Sequence, residues 1–223
     1  MTFFERLKLA AAQDWKLYTE HPFTAAMADG SLRRQAFQHY LGQDYLFLIE
    51  FARAYALAVY KSPGLEDMRR AAAGLAAILE VEMNLHVKLC ASWGMSRSEL
   101  ESLPAAPETL AYTRYVLDTG MRGDLLALQV ALAPCVLGYA EIGLRLNKIS
   151  PTLDNGNPYH VWIGEYSGQA YQSVADAARE QMESLAERYS NPLREQELAR
   201  VFLEATRLET GFWDMAWRLQ ETA

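Results

Sequence analysis

The chain has 223 residues, of which 51% are hydrophobic, so it can bury the core of one large domain. Aspartate and glutamate (28) outnumber lysine and arginine (21), and this acidic balance argues against a nucleic-acid-binding surface. Two cysteines, Cys90 and Cys135, are too few for a disulfide framework, so we expect a cytoplasmic protein with reduced thiols. No targeting segment is expected, because charged residues begin at Glu5 and leave no apolar run near the N-terminus. No membrane span is expected, because the apolar run 125–139 is too short.

The hydrophobic pattern is helical almost throughout, and it lacks strand-like alternation bounded by turns. We predict an all-α bundle of about seven to eight helices in a single domain spanning residues 1–223. The predicted helices cover, approximately, residues 2–19, 31–61, 65–93, 107–120, 124–148, 159–166, 169–189 and 192 to near the C-terminus. Asp29 or Ser31 is expected to cap the second helix, and Pro134 to kink the apolar helix. Residues 98–107 and 150–158 are predicted to be connections.

Several predicted helices carry functional groups on the face that should enter the core. One such face alternates steps of four and three residues and includes an aspartate among hydrophobic residues: Phe37, Leu41, Asp44, Leu48, Phe51, Tyr55 and Ala58. Functional groups also take core-facing positions on other predicted helices, at Glu82 and His86, at Cys135 and Tyr139, and at Glu209. A buried carboxylate costs several kcal/mol unless it is paired, protonated or bound to a ligand. These positions therefore predict a polar cavity inside the bundle.

Two carboxylates each lie three residues before a phenylalanine, on one helix face: Asp44 with Phe47, and Glu209 with Phe212. A carboxylate beside an aromatic ring suits a flat heterocycle, because the acid can bind an amidine-like edge while the ring stacks. Burial should raise the pKa of Glu209, which would let it give and accept a proton. The alternative is structural pairing of each acid, for example of Glu209 with Arg207.

Glu82 and His86 are four residues apart, a spacing that allows two metal ligands or one hydrogen-bonded pair. Di-iron carboxylate bundles have Glu-x-x-His pairs on two helices, and we find no second acid–histidine pair on an inward face. We therefore favour a structural pair over a metal site.

Cys135 follows Pro134 and lies one helical turn before Tyr139. A thiol on a buried face is usually a small hydrophobic group, and it becomes a nucleophile only when its pKa is lowered or a base takes its proton. Both interpretations stay open for Cys135, whereas Cys90 is expected to serve packing. Tyr112 and Tyr166 lie near element ends, from which either could donate a hydrogen bond into a cavity.

Taken together, these segments resemble the TenA family, also known as thiaminase II or aminopyrimidine aminohydrolase. Six short matches occur in the family's order: His21-Pro22-Phe23, Asp44-x-x-Phe47, Glu82-x-x-x-His86, Pro134-Cys135-x-x-x-Tyr139, Trp162-Ile163-Gly164-x-Tyr166 and Glu209-x-x-Phe212-Trp213. The resemblance implies a heme-oxygenase-like helical bundle, usually a homotetramer, with neither a metal nor an organic cofactor. It implies hydrolysis of 4-amino-5-aminomethyl-2-methylpyrimidine to the hydroxymethyl pyrimidine, a step of thiamin salvage, with thiamin as a slower substrate.

The resemblance also implies roles for individual residues. Cys135 would be the nucleophile, Asp44 would bind the ring nitrogen and the exocyclic amine, and Glu209 would carry protons. Phe47 would stack on the substrate ring, where some members have a tyrosine. The residues that would line the pocket are Tyr112, Tyr139, Tyr166 and Phe212.

Two other functions are compatible with the sequence. One is a metal-dependent, di-iron oxidase of the same fold with Glu82, His86 and Asp44 as ligands. The other is a non-catalytic pyrimidine-binding or regulatory protein.

Overall fold

The computed structural model describes residues 1–149 and 156–221, and across these residues it contains thirteen α-helices and no strand. The helices are α1 (Phe3–Ala10), α2 (Ala12–Thr19), α3 (Pro22–Asp29), α4 (Arg34–Lys61), α5 (Leu65–Ala77), α6 (Met83–Ser92), α7 (Arg97–Ser102), α8 (Pro107–Arg122), α9 (Leu125–Ala133), α10 (Tyr139–Ile149), α11 (His160–Ser167), α12 (Gln169–Tyr189) and α13 (Pro192–Glu221). A first π segment (Ile78–Glu82) joins α5 to α6, and a second π segment (Pro134–Gly138) joins α9 to α10. The predicted all-α class is confirmed, with more helical segments than expected.

The two longest helices, α4 and α13, pack against each other and organise the bundle. Helix α13 also packs on α2, α8 and α9, and α4 packs on α5, α6 and α8. The predicted core face of α4 is buried from Phe37 to Ala58 except for the partly exposed Tyr55, and Asp44 lies within it. Full burial of each large apolar side chain on this face stabilises the fold by about 1.5–3 kcal/mol. Together these side chains can offset the cost of burying Asp44.

The first π segment corrects the predicted face of the 65–93 helix. Steps of three and four residues back from Glu82 predict that Leu79 and Met68 lie in the core, but they are 51% and 39% exposed, whereas Ala71 and Ile78 are buried. A π turn contains one residue more than an α turn, so the inward face shifts by one position across it. His86 and Trp93, which follow the π segment, are buried as predicted.

The apolar helix continues from Leu125 through the second π segment to Ile149. It is long and apolar enough to cross a membrane by composition, with a mean hydropathy of 1.7 in its most apolar window. Because 89% of that window is buried inside the bundle, its composition is accounted for by the core, as the sequence predicts. The backbone irregularity predicted at Pro134 is present as the π segment.

Several predicted boundaries were wrong. Helix α4 begins after Arg33 without a side-chain cap, and the carboxylate of Asp29 accepts from the backbone N–H of Ser31 instead. Residues 97–102 form α7 rather than a loop, because Ser96 and Glu99 make a capping box. The predicted first helix is divided at Ala11. Most of the predicted connection 150–158 lies outside the described residues.

Gly143 lets α10 and α11 approach closely, and Gly143→Ala should destabilise the protein by about 1–3 kcal/mol. A Cβ at this position would lie 2.5 Å from the backbone carbon of Tyr166 and 2.7 Å from the backbone nitrogen of Ser167. Backbone atoms cannot turn aside as a flexible side chain can, so α11 must move. Denaturant unfolding measures the effect. Gly211→Ala is the control, because its Cβ would meet nothing within 4 Å, and we expect it to be neutral or stabilising.

Candidate active site

Asp44 is buried in the middle of α4 and is 5% exposed. Its Oδ2 atom accepts a hydrogen bond from the Tyr40 hydroxyl at 3.3 Å, and the indole N–H of Trp162 donates to that hydroxyl at 3.1 Å. Burial raises the pKa of Asp44 to about 7, although the Tyr40 hydrogen bond acts in the opposite direction. The carboxyl can therefore exist with or without its proton near neutral pH.

His86 approaches Asp44 from α6, with its Nδ1 atom 3.5 Å from Oδ2. Its other ring nitrogen, Nε2, is 2.9 Å from the backbone carbonyl oxygen of Leu41. The predicted structural pair with Glu82 is therefore wrong, because both ring nitrogens of His86 face α4. The spacing of four residues placed Glu82 and His86 on one face but could not reveal contacts with another helix.

Glu209 projects from α13 and is 1% exposed. Its Oε1 atom accepts a hydrogen bond from the Tyr112 hydroxyl at 2.8 Å. Burial raises the pKa of Glu209 to about 8; the Tyr112 hydrogen bond lowers it and the charge of Asp44 raises it. The alternative partner, Arg207, binds Asp14 instead. Glu209 is therefore a buried acid whose proton is exchangeable near neutral pH.

Cys135 lies in the second π segment, and its side chain is partly exposed although its surroundings are buried. Burial raises the pKa of its thiol well above the ordinary value, and the charges of Glu209, Asp44 and Glu82 raise it further. The thiol is therefore protonated at neutral pH in the ligand-free protein and needs a base to become a nucleophile. The thiol is therefore close enough to the carboxyls of Asp44, Glu82 and Glu209 for their charges to act on it.

Aromatic rings surround these groups on two sides. Phe47 stacks on Tyr112 with ring centroids 5.1 Å apart, and Phe212 meets Phe47 edge-on at 5.9 Å. On the other side, Tyr139 packs against Tyr166 at 5.0 Å and against Trp213 at 5.3 Å. The structure thus brings all the predicted pocket residues to the same region of the bundle. Flat aromatic walls of this kind favour a planar ligand.

Access to the thiol is indicated by five side chains that keep partial exposure in this buried region: Tyr55, Glu82, Cys135, Tyr166 and Tyr171. Burial raises the pKa of Tyr55 and Tyr171, and the charge of Cys135 raises both further. The Tyr171 hydroxyl donates to the backbone carbonyl of Val136, the residue after Cys135, at 3.3 Å. Two small cavities lie nearby, one next to Phe47 and the other next to Val136. Asp44, Cys135 and Glu209 line neither of them, so neither is the polar cavity that the sequence predicts.

A metal centre built from Glu82, His86 and Asp44 is not supported by their arrangement. Within residues 1–149 and 156–221, no group of three or more His, Cys, Asp or Glu side chains is placed to hold a metal ion. The Nε2 atom of His86 is directed at the Leu41 carbonyl, which leaves one ring nitrogen for any other contact.

The comparison with known families agrees with this geometry. A model of the TENA/THI-4/PQQC family matches residues 9–219. The chain belongs to this family. The resemblance seen in the six short matches is therefore confirmed over nearly the whole chain.

Relatives of this TENA/THI-4/PQQC member include proteins of known name and structure. The aminopyrimidine aminohydrolase of Halalkalibacterium halodurans is 38% identical over 217 residues, covering 97% of this chain and 96% of that protein. A crystal structure named as a TenA family transcription regulator, from Silicibacter sp. TM1040, is 41% identical with a TM-score of 0.91 and covers 96% of each chain. A domain with a heme oxygenase-like fold from Shewanella denitrificans has a TM-score of 0.76 at 16% identity, covering 98% of this chain and 93% of that one. The predicted heme-oxygenase-like fold is thus confirmed.

The groups that orient the acids in this TENA/THI-4/PQQC member were not predicted from the sequence. Tyr40, four residues before Asp44 on α4, was identifiable from spacing alone. The hydrogen bond from Trp162 to Tyr40 spans 122 positions and had no local signal. The Tyr18 hydroxyl, which donates to the carbonyl of Pro134 at 3.1 Å, was equally hidden. This hydrogen bond gives the Pro134 carbonyl, in the second π segment beside Cys135, a donor.

Proposed function

We propose that the protein is a hydrolase that converts 4-amino-5-aminomethyl-2-methylpyrimidine to the hydroxymethyl pyrimidine, a step of thiamin salvage. The observation that carries the proposal is the placement of a protonated thiol, Cys135, under the influence of Asp44 and Glu209 between aromatic walls. The name of the Halalkalibacterium halodurans relative supports the same reaction class.

The electrostatics support a flat, cationic substrate. Asp44, Glu82 and Glu209 each have a raised pKa because burial disfavours their charge, and Asp44 raises the pKa of the other two acids. A protonated aminopyrimidine ring would relieve this repulsion. We propose that Asp44 binds the ring nitrogen and exocyclic amine, while Phe47, Phe212 and the tyrosines at 112, 139 and 166 enclose the ring.

In the proposed first step, Glu209 takes the thiol proton and the sulfur of Cys135 bonds to C6 of the pyrimidine. The electron pair of the C5–C6 double bond moves towards the ring nitrogen held by Asp44. This addition removes the aromaticity of the ring and makes C5 electron-rich. Direct displacement of an amine from a methylene group is difficult, so the covalent route replaces one hard step by easier ones.

In the proposed second step, the C–N bond at the C5 methylene breaks and Glu209 gives its proton to the departing amine. Water then adds to the exposed methylene while its proton returns to Glu209. Finally the ring electrons expel the sulfur as a thiolate, which takes the proton from Glu209, so that the aromatic pyrimidine, the thiol and the Glu209 carboxylate are all restored. The pKa of Glu209, raised to about 8 by burial, suits a group that both gives and accepts a proton.

One assay tests the proposal against its rivals. The purified protein is incubated without metal, separately with the aminomethyl pyrimidine and with thiamin, and the alcohol product is sought by mass spectrometry. We expect the alcohol from the aminomethyl pyrimidine and less of it from thiamin. Binding without conversion would support the non-catalytic or regulatory alternative, to which the name of the Silicibacter relative corresponds. Conversion that needs stoichiometric iron or manganese would support the oxidase alternative.

Asp44→Asn should raise KM for the aminomethyl pyrimidine about tenfold or more and also lower kcat. The amide of asparagine has no negative charge to attract the exocyclic amine and the protonated ring nitrogen. Its own N–H groups would face the N–H donors of the substrate. Steady-state kinetics and calorimetry with the hydroxymethyl pyrimidine measure both effects. Asp67→Asn is the matched control, because Asp67 is also buried but pairs with Arg188. An unchanged KM in Asp44→Asn would remove Asp44 from the binding role.

We further propose that residues 1–223 act as a single domain in a cytoplasmic homotetramer. The two cysteines are free, which suits a reducing compartment. Exposed apolar side chains on α5, the first π segment and α6 support an interface there: Leu65, Met68, Leu79, Val81 and Leu85. Light scattering coupled to size-exclusion chromatography measures the mass, and a monomer would contradict the tetramer.

A further inference from the structure

The hydrogen bond of His86 to helix α4 fixes which ring nitrogen carries the hydrogen. A backbone carbonyl oxygen can only accept, so the Nε2 atom, 2.9 Å from the Leu41 oxygen, must be the donor. Burial lowers the pKa of His86, so the ring is neutral near pH 7 and its second nitrogen has no hydrogen. The lone pair of Nδ1 therefore faces Asp44 Oδ2 at 3.5 Å.

Two acceptors cannot face each other favourably in a buried site, so this contact needs a proton. The Tyr40 hydroxyl does not supply one to His86, since Trp162 donates to its oxygen and its own hydrogen points to Asp44 Oδ2. The remaining source is the carboxyl of Asp44, whose pKa burial raises to about 7. When the ligand-free carboxyl of Asp44 has its proton, the position of His86 directs that proton towards Nδ1.

We propose that His86 is a positioning residue that takes the Asp44 proton when an aminopyrimidine binds, so that Asp44 becomes a carboxylate without releasing a proton to solvent. In this step the O–H bond of Asp44 breaks and an N–H bond forms at Nδ1 of His86, and product release reverses it. The distance of 3.5 Å is long for a hydrogen bond and must shorten, as contacts in ligand-free sites commonly do when substrate binds. The inference rests on the proposed function, and it gives His86 a role that acts through Asp44.

The surroundings of Asp44 favour keeping the proton inside the site. The other titratable groups whose charge couples to Asp44 are phenols, thiols and carboxyls from every element around it: Tyr40, Glu82, Cys90, Cys135, Tyr139, Tyr166 and Glu209. Of these groups Glu82 and Glu209 have a pKa near neutral, and their negative charge when ionised disfavours a carboxylate at Asp44 that has no cation nearby. An imidazolium at His86 supplies that cation at the contact distance.

His86→Gln tests the inference, because glutamine can still donate to the Leu41 carbonyl but cannot carry the proton. In the variant, Asp44 must release its proton to solvent, so the carboxylate forms only at higher pH. We expect the acid limb of kcat/KM to move up by about one pH unit, which is about a tenfold loss at pH 6. The ratio of variant to wild-type activity should return towards one as the pH rises to 9. His39→Gln on α4 is the control and should keep the wild-type profile.

The outcomes separate the inference from the proposed function. An activity ratio that is constant with pH would show that His86 only braces the helices, and an unchanged profile would also overturn the proton transfer. Nitrogen NMR of the wild type gives a second readout that does not depend on the variant folding. It should show a hydrogen on Nε2 alone in the free protein and on both nitrogens with the hydroxymethyl pyrimidine bound; Nδ1 without a hydrogen in that complex overturns the inference. If wild type neither binds nor converts the pyrimidines, the proposed function itself fails.

Discussion

Cys135→Ser should lower kcat for the aminomethyl pyrimidine at least about a thousandfold while the protein stays folded. A serine hydroxyl holds its proton far more tightly than a thiol, and the acids around position 135 oppose an anion there. The change removes little volume from a partly exposed position, so the thermal midpoint should move by only a few degrees. Single-turnover kinetics at saturating substrate measure the chemical step, and circular dichroism checks the fold.

Cys90→Ala is the matched control for the thiol. Cys90 is fully buried in the core; the charge of Asp44 contributes to its raised pKa, but the proposed steps give its thiol no role. Its removal leaves a small cavity and should cost about 1 kcal/mol of stability while kcat is kept. Full activity of Cys135→Ser would reject the covalent route, and equal losses in both variants would indicate damage to the fold.

Glu209→Gln should lower kcat by about a hundredfold to ten-thousandfold and raise stability at alkaline pH. The pKa of Glu209 in the folded protein, about 8, lies above the ordinary value of 4.5 because of burial. Between those two pH values the unfolded chain loses this proton and the folded protein keeps it, so the wild type loses stability as the pH rises. Glutamine does not titrate, so the free energy of unfolding of the variant should exceed that of the wild type by an amount that grows up to about pH 8. The difference there should be on the order of a few kcal/mol.

Two measurements check this prediction. Thermal unfolding at pH 5 and pH 9 should show the variant close to wild type at the lower pH and more stable at the higher one. Glu204→Gln lies on the same helix at an exposed position and should change neither kcat nor stability appreciably. In the wild type, kcat should rise with pH up to about 8, because Glu209 must be a carboxylate to take the thiol proton in the first step. A Glu209→Gln variant with normal kcat would contradict the role as proton carrier.

The helical faces of α4 and α13 could be predicted from the sequence because they depend on a repeat within one segment. Asp44 and Glu209 occupy positions where the pattern requires a core residue, and both are buried. The inward face was not predicted correctly before and within the first π segment, where Met68 and Leu79 are exposed because the π turn has one residue more than an α turn. A change in helical register of this kind is set by packing against neighbouring helices, and the sequence has no repeat that announces it.

The sequence by itself determined the helices, the inward faces and the residue types that can do chemistry, because helical periodicity acts over a few neighbouring positions. Only the tertiary structure decided which groups meet. Tyr112 and Glu209 are 97 positions apart, and His86 and the Leu41 carbonyl are 45 apart. These contacts depend on how whole helices pack, and through burial they set the pKa of each acid. The chemistry of the site follows from those pairings rather than from any single segment.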